Sequence, residues 1–166
     1  MKKALFHKLA ILITFLFLAS SVLAEFQRGE HAMVSSRSDI ASEVGKSILE
    51  QGGNAVDAAV AVGFALAVAY PSAGNIGGGG FMVLRTADDQ VYTLDAREKA
   101  PLAADRDMFL DSVGEFDSQL SRNSLLASGV PGSVAGLLDA LDRFGSMSRE
   151  QVIAPAILLA EKGIVL

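Results

Sequence analysis

Residues 54–71 read NAVDAAVAVGFALAVAYP, and this stretch decides the fold. Asn54 has the short polar side chain of a helix N-cap. Asp57 falls at the third helical position, where a carboxylate meets the positive end of the helix. From Ala55 to Tyr70 the sequence is apolar almost all round, with Val56, Val60, Phe64, Leu66 and Val68 set among alanines. A helix apolar on every side is buried on every side. It is too short and too rich in alanine for a membrane span, which needs ~20 apolar residues. Its small side chains allow close packing against a sheet or a second helix, and Pro71 closes it.

Upstream, Ser38 can cap a helix in which Ile40, Val44 and Ile48 recur at i, i+4, i+8 beside Ala41 and Leu49, with Gly52-Gly53 as the stop. Downstream, Gly74-Asn75-Ile76-Gly77-Gly78-Gly79-Gly80 is costly in backbone entropy. Such a run survives where φ must be positive or where something approaches the backbone closely. Phe81–Thr86 and Val91–Glu98 read as strands of an antiparallel hairpin about an Ala87-Asp88-Asp89-Gln90 turn. On the second strand Tyr92, Leu94 and Ala96 share one face, Thr93, Asp95 and Arg97 share the other, and Pro101 ends it.

Asp105 to Asn123 reads as charged loop with one short helical turn at Arg106 to Leu110, and residues 127–132 as a turn cluster. A helix then carries Val134, Leu137, Leu138 and Leu141 on one stripe, with Gly145 after Phe144. The last helix opens on Ser148-x-x-Gln151, a capping box. Val152, Ile153, Ala156, Ile157 and Ala160 form its face, and Gly163 ends it. Pro155 either kinks this helix or marks its true first turn. The class is therefore α/β (α+β). Two strands are a poor sheet for so many apolar helices, so the chain is expected to be the front part of a larger α/β domain.

Composition narrows the function. The 166 residues include no cysteine, which excludes a disulfide, a thiolate nucleophile and a cysteine-ligated metal. His7 and His31 are the only histidines, and a net charge of −5 argues against nucleic-acid binding. Residues 1–24 read as a secretory signal peptide. Lys2, Lys3 and Lys8 precede an apolar run from Leu9 to Ala19, and Val22-Leu23-Ala24 supplies the small residues of a cleavage site. The leader carries three lysines and no acid, so the segment 25–166 is more acidic still and is expected to be periplasmic or secreted, with no membrane contact after leader removal.

No phosphate loop or dinucleotide loop fits residues 74–80, because Phe81-Met82 stand where a lysine and hydroxyl would be and no register gives G-x-G-x-x-G. Gly132-Ser133-Val134-Ala135-Gly136 matches a nucleophile elbow only loosely. Arg97 is the charged residue that stands out. It reads either as half of an Asp95–Arg97 surface pair, worth little, or as an arginine fork aimed at a substrate carboxylate from a rigid strand.

Four strings in order carry a resemblance: Gly53 to Ala61, Pro71 to Met82, Asp95-Ala96-Arg97-Glu98 with Ala100-Pro101, and Ser128 to Gly136. From about Met33 onward the chain resembles the γ-glutamyltranspeptidases, also called glutathione hydrolases. The resemblance implies an N-terminal nucleophile hydrolase with an αββα sandwich, incomplete in this chain. It implies a proenzyme that cuts itself into a large and a small subunit, with residues 25–166 as the N-terminal part of the large one. The threonine that begins the small subunit attacks a γ-glutamyl amide such as that of glutathione, its α-amine serving as base. The resulting γ-glutamyl-enzyme ester passes to water or to an amino-acid or peptide acceptor. No metal or organic cofactor is implied.

By the same resemblance Arg97 matches the arginine of the D-x-R-E motif and would bind the α-carboxylate of the glutamyl group. Asp57 also matches, and its place at a helix start already explains it; the glycine run is given a packing role. The resemblance places the catalytic threonine outside these residues: Thr86 and Thr93 do not match it, so no catalytic residue is assigned. Related acylases and poly-γ-glutamate-cleaving enzymes share these strings, and a non-catalytic exported module is the alternative from another class. Expressed alone, residues 25–166 are expected to aggregate or remain molten.

Overall fold

A computed structural model describes residues 28–164, so the leader expected at 1–24 lies outside the described residues. Residues 1–33 and 34–166 are separate units; within the first, residues 28–33 carry no helix or strand. All elements below belong to the second.

Helix α1 (Asp39–Glu50) starts at Ser38, whose side chain accepts from the Ala41 N–H, and helix α2 (Ala55–Ala69) starts at Asn54. The cap expected at Asn54 is present, and with Asp57 it forms a full capping box that the sequence reading did not include: the Asn54 side chain accepts from Val56 and Asp57, and Asp57 accepts from the Asn54 N–H. The buried stripe of α1 is Ala41, Gly45 and Ile48, so Ile40, expected on that face, falls at its exposed margin. Gly45 lets the two helices meet, since a Cβ there would lie 2.6 Å from Val62 and 2.9 Å from Val34.

Strands β1 (Phe81–Arg85) and β2 (Val91–Asp95) form an antiparallel pair, with Phe81 opposite Asp95 and Arg85 opposite Val91. Met82, Leu84 and Leu94 pack on the core, while Phe81, Val83 and Val91 leave the other face apolar and exposed. Strand β2 is three residues shorter than the sequence suggested, which takes Arg97 out of the strand.

The segment expected to be loop contains a further helix, α3 (Ser118–Asn123), capped by Asp117, and a 3-10 turn at Leu125–Ala127. The helical turn expected at residues 106–110 is a run of turns ending in a bridge between Leu110 and Phe116. Helix α4 (Ser133–Phe144) buries Gly136, Ala140 and Leu141, leaving Val134 at the exposed edge of its expected stripe. Helix α5 (Arg149–Lys162) starts at Ser148 with the expected capping box and continues through Pro155, so Pro155 does not mark its first turn. Its buried face is narrower than expected: Val152 and Ala156 are buried, whereas Ile157 and Ala160 are exposed.

The core lies around α2, which contacts α1, α4 and α5. Val60, Ala61 and Ala65 have no exposure. Burial on every side, expected for this helix, is not reached: Ala55 and Ala59 are exposed, and Val62, Gly63 and Leu66 to Tyr70 are half-buried. Among the described residues no helix is long and apolar enough to cross a membrane.

Candidate functional site

The backbone leaving β2 is tied to two other segments before it is released. Ala96 pairs with Gly80, its N–H donating at 3.0 Å and its carbonyl accepting at 3.3 Å. Three residues on, Lys99 and Val130 exchange hydrogen bonds of 3.2 and 2.7 Å. Arg97 stands between these two ties, in loop rather than strand. Asp95 Oδ1 accepts from the Arg97 backbone N–H at 3.0 Å, so Asp95 fixes the main chain and does not pair with the guanidinium. The guanidinium is two-thirds exposed, and its Nε donates to Glu98 Oε2 at 3.2 Å. Among the described residues no other acceptor meets it, which leaves both terminal nitrogens with donors to offer.

Arg97 is among the residues that line a cleft of about 320 Å³. The cleft is bounded by β2 and its exit, by Val130-Pro131-Gly132 and by α4. Its charged lining is Asp95, Arg97, Lys99 and Asp139. Both acids are engaged, Asp95 with the main chain and Asp139 with Arg143 at 3.4 Å. An anion entering this cleft meets Lys99 and the two terminal nitrogens that Arg97 leaves free beside its Glu98 pair, and a planar guanidinium with two free nitrogens matches a carboxylate.

The glycine run supports this corner. Helix α4 has glycine, without a side-chain cap, at its N-cap. The Gly78 carbonyl takes that place, accepting from Gly132 N–H at 2.8 Å and Ser133 N–H at 2.9 Å. None of the glycines at 74 and 77–80 has positive φ. Of the two reasons sequence allowed for the run, close approach operates at Gly74, Gly78 and Gly79, and neither applies at Gly77 and Gly80.

Asp57 does more than begin a helix. Its carboxylate has no exposure and accepts from the Ser146 hydroxyl at 2.6 Å, the Ser146 N–H at 2.9 Å, the Met147 N–H at 3.1 Å and the Asn54 N–H at 2.7 Å. Asn54 Nδ2 in turn donates to the Phe144 carbonyl at 2.8 Å. The start of α2 is thereby clasped to the α4–α5 turn. Burial pushes the Asp57 carboxyl up, but the Ser146 hydroxyl and the three backbone N–H groups outweigh it and hold it below its ordinary value. Asp57 read as a capping residue was half of its role; the other half spans 89 residues of sequence and has no local signature.

Thr86 lies at the hairpin turn, bonding Asp88 and the Gln90 carbonyl, and Thr93 lies on β2 opposite Val83. His31 is exposed in the segment 28–33. Among the described residues no group of acidic or histidine side chains is arranged to hold a metal.

Comparison with known proteins agrees with this architecture. A sequence profile described as gamma-glutamyltranspeptidase matches residues 41–166. The glutathione hydrolase proenzyme of Pseudomonas sp. (strain A14) is 55% identical over 137 residues, which is 82% of this chain and 24% of that one. The glutathione hydrolase proenzyme of Escherichia coli (strain K12) is 53% identical over 138 residues, 83% of this chain and 24% of that one. The crystal structure of Helicobacter pylori gamma-glutamyltranspeptidase superposes with a TM-score of 0.79 at 50% identity, covering 84% of this chain and 40% of that one. The chain thus spans about a quarter of the length of the curated relatives it matches. With the four sequence strings, the mixed α/β architecture and these likenesses in agreement, the chain belongs to the gamma-glutamyltranspeptidase family.

Proposed function

We propose that this chain is the N-terminal part of the large subunit of an exported γ-glutamyltransferase/glutathione hydrolase, and that Arg97 binds the donor. Its guanidinium holds the α-carboxylate of the γ-glutamyl group. The substrate is a γ-glutamyl amide such as glutathione, and the acceptor is water, an amino acid or a peptide. The observation that carries the reading is the Asp95-Ala96-Arg97-Glu98 string within the family match, with the Arg97 terminal nitrogens unpaired at the edge of a cleft.

The chemistry follows from the donor. A carboxylate held by a bidentate fork fixes one end of the glutamyl group, and its γ-carbonyl is then presented at a set distance to the nucleophile. The nucleophile is the small subunit's N-terminal threonine. Its Oγ adds to the γ-carbonyl as its α-amine takes the proton, and that proton passes to the amide nitrogen as the C–N bond breaks, so the leaving peptide departs as a neutral amine and the ester remains. Water or an acceptor amine then cleaves that ester. The part played by this chain is recognition and positioning. Two further roles are proposed with it: residues 1–24 serve as a cleaved signal peptide, and the mature enzyme is periplasmic or secreted.

The test is made on the full-length protein purified from its native compartment. Intact mass under denaturing conditions is expected to give two chains, one starting at Glu25 and one with an N-terminal threonine. The same preparation is expected to release glutamate from glutathione. A single uncut chain that releases no glutamate and transfers no γ-glutamyl group would overturn the proposal.

A further inference from the structure

Glycines from two separate segments press on the backbone that carries Arg97. A Cβ on Gly79 would lie 2.6 Å from the Ala96 carbonyl oxygen and 2.8 Å from both the Arg97 Cα and the Glu98 nitrogen. A Cβ on Gly132 would lie 2.1 Å from that same Ala96 oxygen and 3.2 Å from the Arg97 oxygen. One turn into α4, a Cβ on Gly136 would meet the Ala96 Cβ at 2.2 Å. Gly129 is looser, with Glu98 Cβ at 3.1 Å.

At Gly79 and Gly132 the obstructing atoms are main chain, which cannot swing aside as the end of a side chain can. Neither glycine has positive φ, so turn geometry does not demand it. The pressure is also selective within the run: a Cβ on Gly77 or Gly80 would meet nothing within 4 Å. The hydrogen bonds act at the same place. Gly80 pairs with Ala96, and the Gly78 carbonyl holds the amides of Gly132 and Ser133, so the two glycine segments are joined to each other and to the exit of β2.

We propose that Gly79 and Gly132 are positioning residues for Arg97: by admitting the Ala96-Arg97-Glu98 backbone to direct contact, they set where the guanidinium meets the donor's α-carboxylate. This rests on the reading of Arg97 as the ligand of that carboxylate. A displacement of ~1 Å at a positioning group can cost about a hundredfold in rate. Contacts of 2.1 Å from Gly132 and 2.6 Å from Gly79 to the Ala96 oxygen are closer than packed atoms come, so a Cβ at either glycine must displace the glycine segment and the main chain leading into Arg97 relative to each other.

The experiment uses the full-length, self-processed enzyme and two donors, γ-glutamyl-p-nitroanilide and the same compound with its α-carboxylate converted to a primary amide. The readout is the ratio of their kcat/KM values, which a merely structural defect lowers equally in numerator and denominator. Arg97→Ala is expected to bring the ratio close to one. Gly79→Ala and Gly132→Ala are expected to cut it by about tenfold or more, chiefly through KM for the carboxylate donor. Gly77→Ala is expected to keep it.

Gly129→Ala, which asks the Glu98 Cβ at 3.1 Å to give by only a few tenths of an ångström, is expected to cut the ratio a few-fold and carries the test if the tighter variants do not fold. Wild-type ratios in every folded variant among Gly79→Ala, Gly132→Ala and Gly129→Ala, with Arg97→Ala still near one, would overturn the glycine proposal alone. An equal loss in Gly77→Ala would also overturn it. An unchanged ratio in Arg97→Ala would remove the carboxylate reading, and the glycine proposal with it.

Discussion

At the start of α2 the Asp57 carboxylate is shut off from solvent and receives hydrogen bonds from Asn54, Ser146 and Met147. At the exit of β2 the Arg97 guanidinium is two-thirds exposed and holds one partner, its own neighbour Glu98. A buried charge is tolerable only when its lone pairs are filled, and removing one partner then costs heavily. An exposed pair between adjacent residues contributes little to stability, being screened by water and salt. Structure and the proposed recognition thus fall to different charges. Asp57 closes the fold over a long sequence separation, and Arg97 is carried between two main-chain ties with its terminal nitrogens unused.

The largest effect expected is at Asp57. Asp57→Asn replaces an acceptor oxygen by an NH2 group that faces the donors of Ser146 and Met147, and a loss of about 3 kcal/mol follows from the unsatisfied groups. The midpoint of chemical denaturation of the full-length protein measures it. An unchanged midpoint would break the contrast, because Asp57 would then be no more structural than Arg97. Next in size is Arg97→Ala, for which kcat/KM on a γ-glutamyl donor is expected to fall about a hundredfold. Its denaturation midpoint should stay at the wild-type value, as an exposed pair predicts. A large stability loss with normal donor affinity would reverse the two roles.

Much of this contrast could be read in the sequence, though unevenly. Caps and apolar periodicity are local signals, so Ser38, Asn54 and Ser148 mark the starts of α1, α2 and α5 as expected. The D-x-R-E string singled out Arg97, but not where its strand stops. Hydrogen-bonded pairing continues one step past Asp95, to Ala96 and Gly80, and does not include Arg97, a pairing fact absent from the local pattern. Helix α3 was missed since six polar-rich residues give no apolar period. The exposure of Ile157 and Ala160 on α5 could not be read, because periodicity shows which residues share a face but not how much of that face is covered. The Asp57 clasp and the contacts of Gly79 and Gly132 join residues tens of positions apart, and only folding brings them together.

The contrast sharpens with pH. The folded Asp57 carboxyl sits below the unfolded value of 3.8, so the folded state prefers its ionised form. Its contribution is complete above the unfolded value and is lost as pH falls through the lower folded value. Stability measured downward from pH 6 should fall on that acid limb, and in Asp57→Asn the part of the fall due to this group should vanish. Superposable limbs in the two proteins would show that Asp57 titrates alike in both states. The donors on its carboxylate would then be contributing nothing to its ionisation.

The smallest effect separates the two halves of the clasp. Asn54 caps α2 through Oδ1, which accepts from the Val56 N–H at 2.8 Å, and reaches the α4–α5 turn through Nδ2 on the Phe144 carbonyl. Asn54→Ala removes the cap bonds from the Val56 and Asp57 N–H groups as well as the Phe144 bond, and is expected to cost about 1 kcal/mol, the ordinary value of an N-cap. Asn54→Ser keeps an oxygen for the cap and loses only the long-range bond, which is exposed and so should be worth about half that. The midpoint of Asn54→Ser against wild type isolates the Phe144 contact, and the difference between the two variants isolates the cap. Equal losses in the two variants would place the whole contribution of Asn54 in the long-range bond. A loss confined to Asn54→Ala would leave Asp57 alone to hold the start of α2 against the turn after α4.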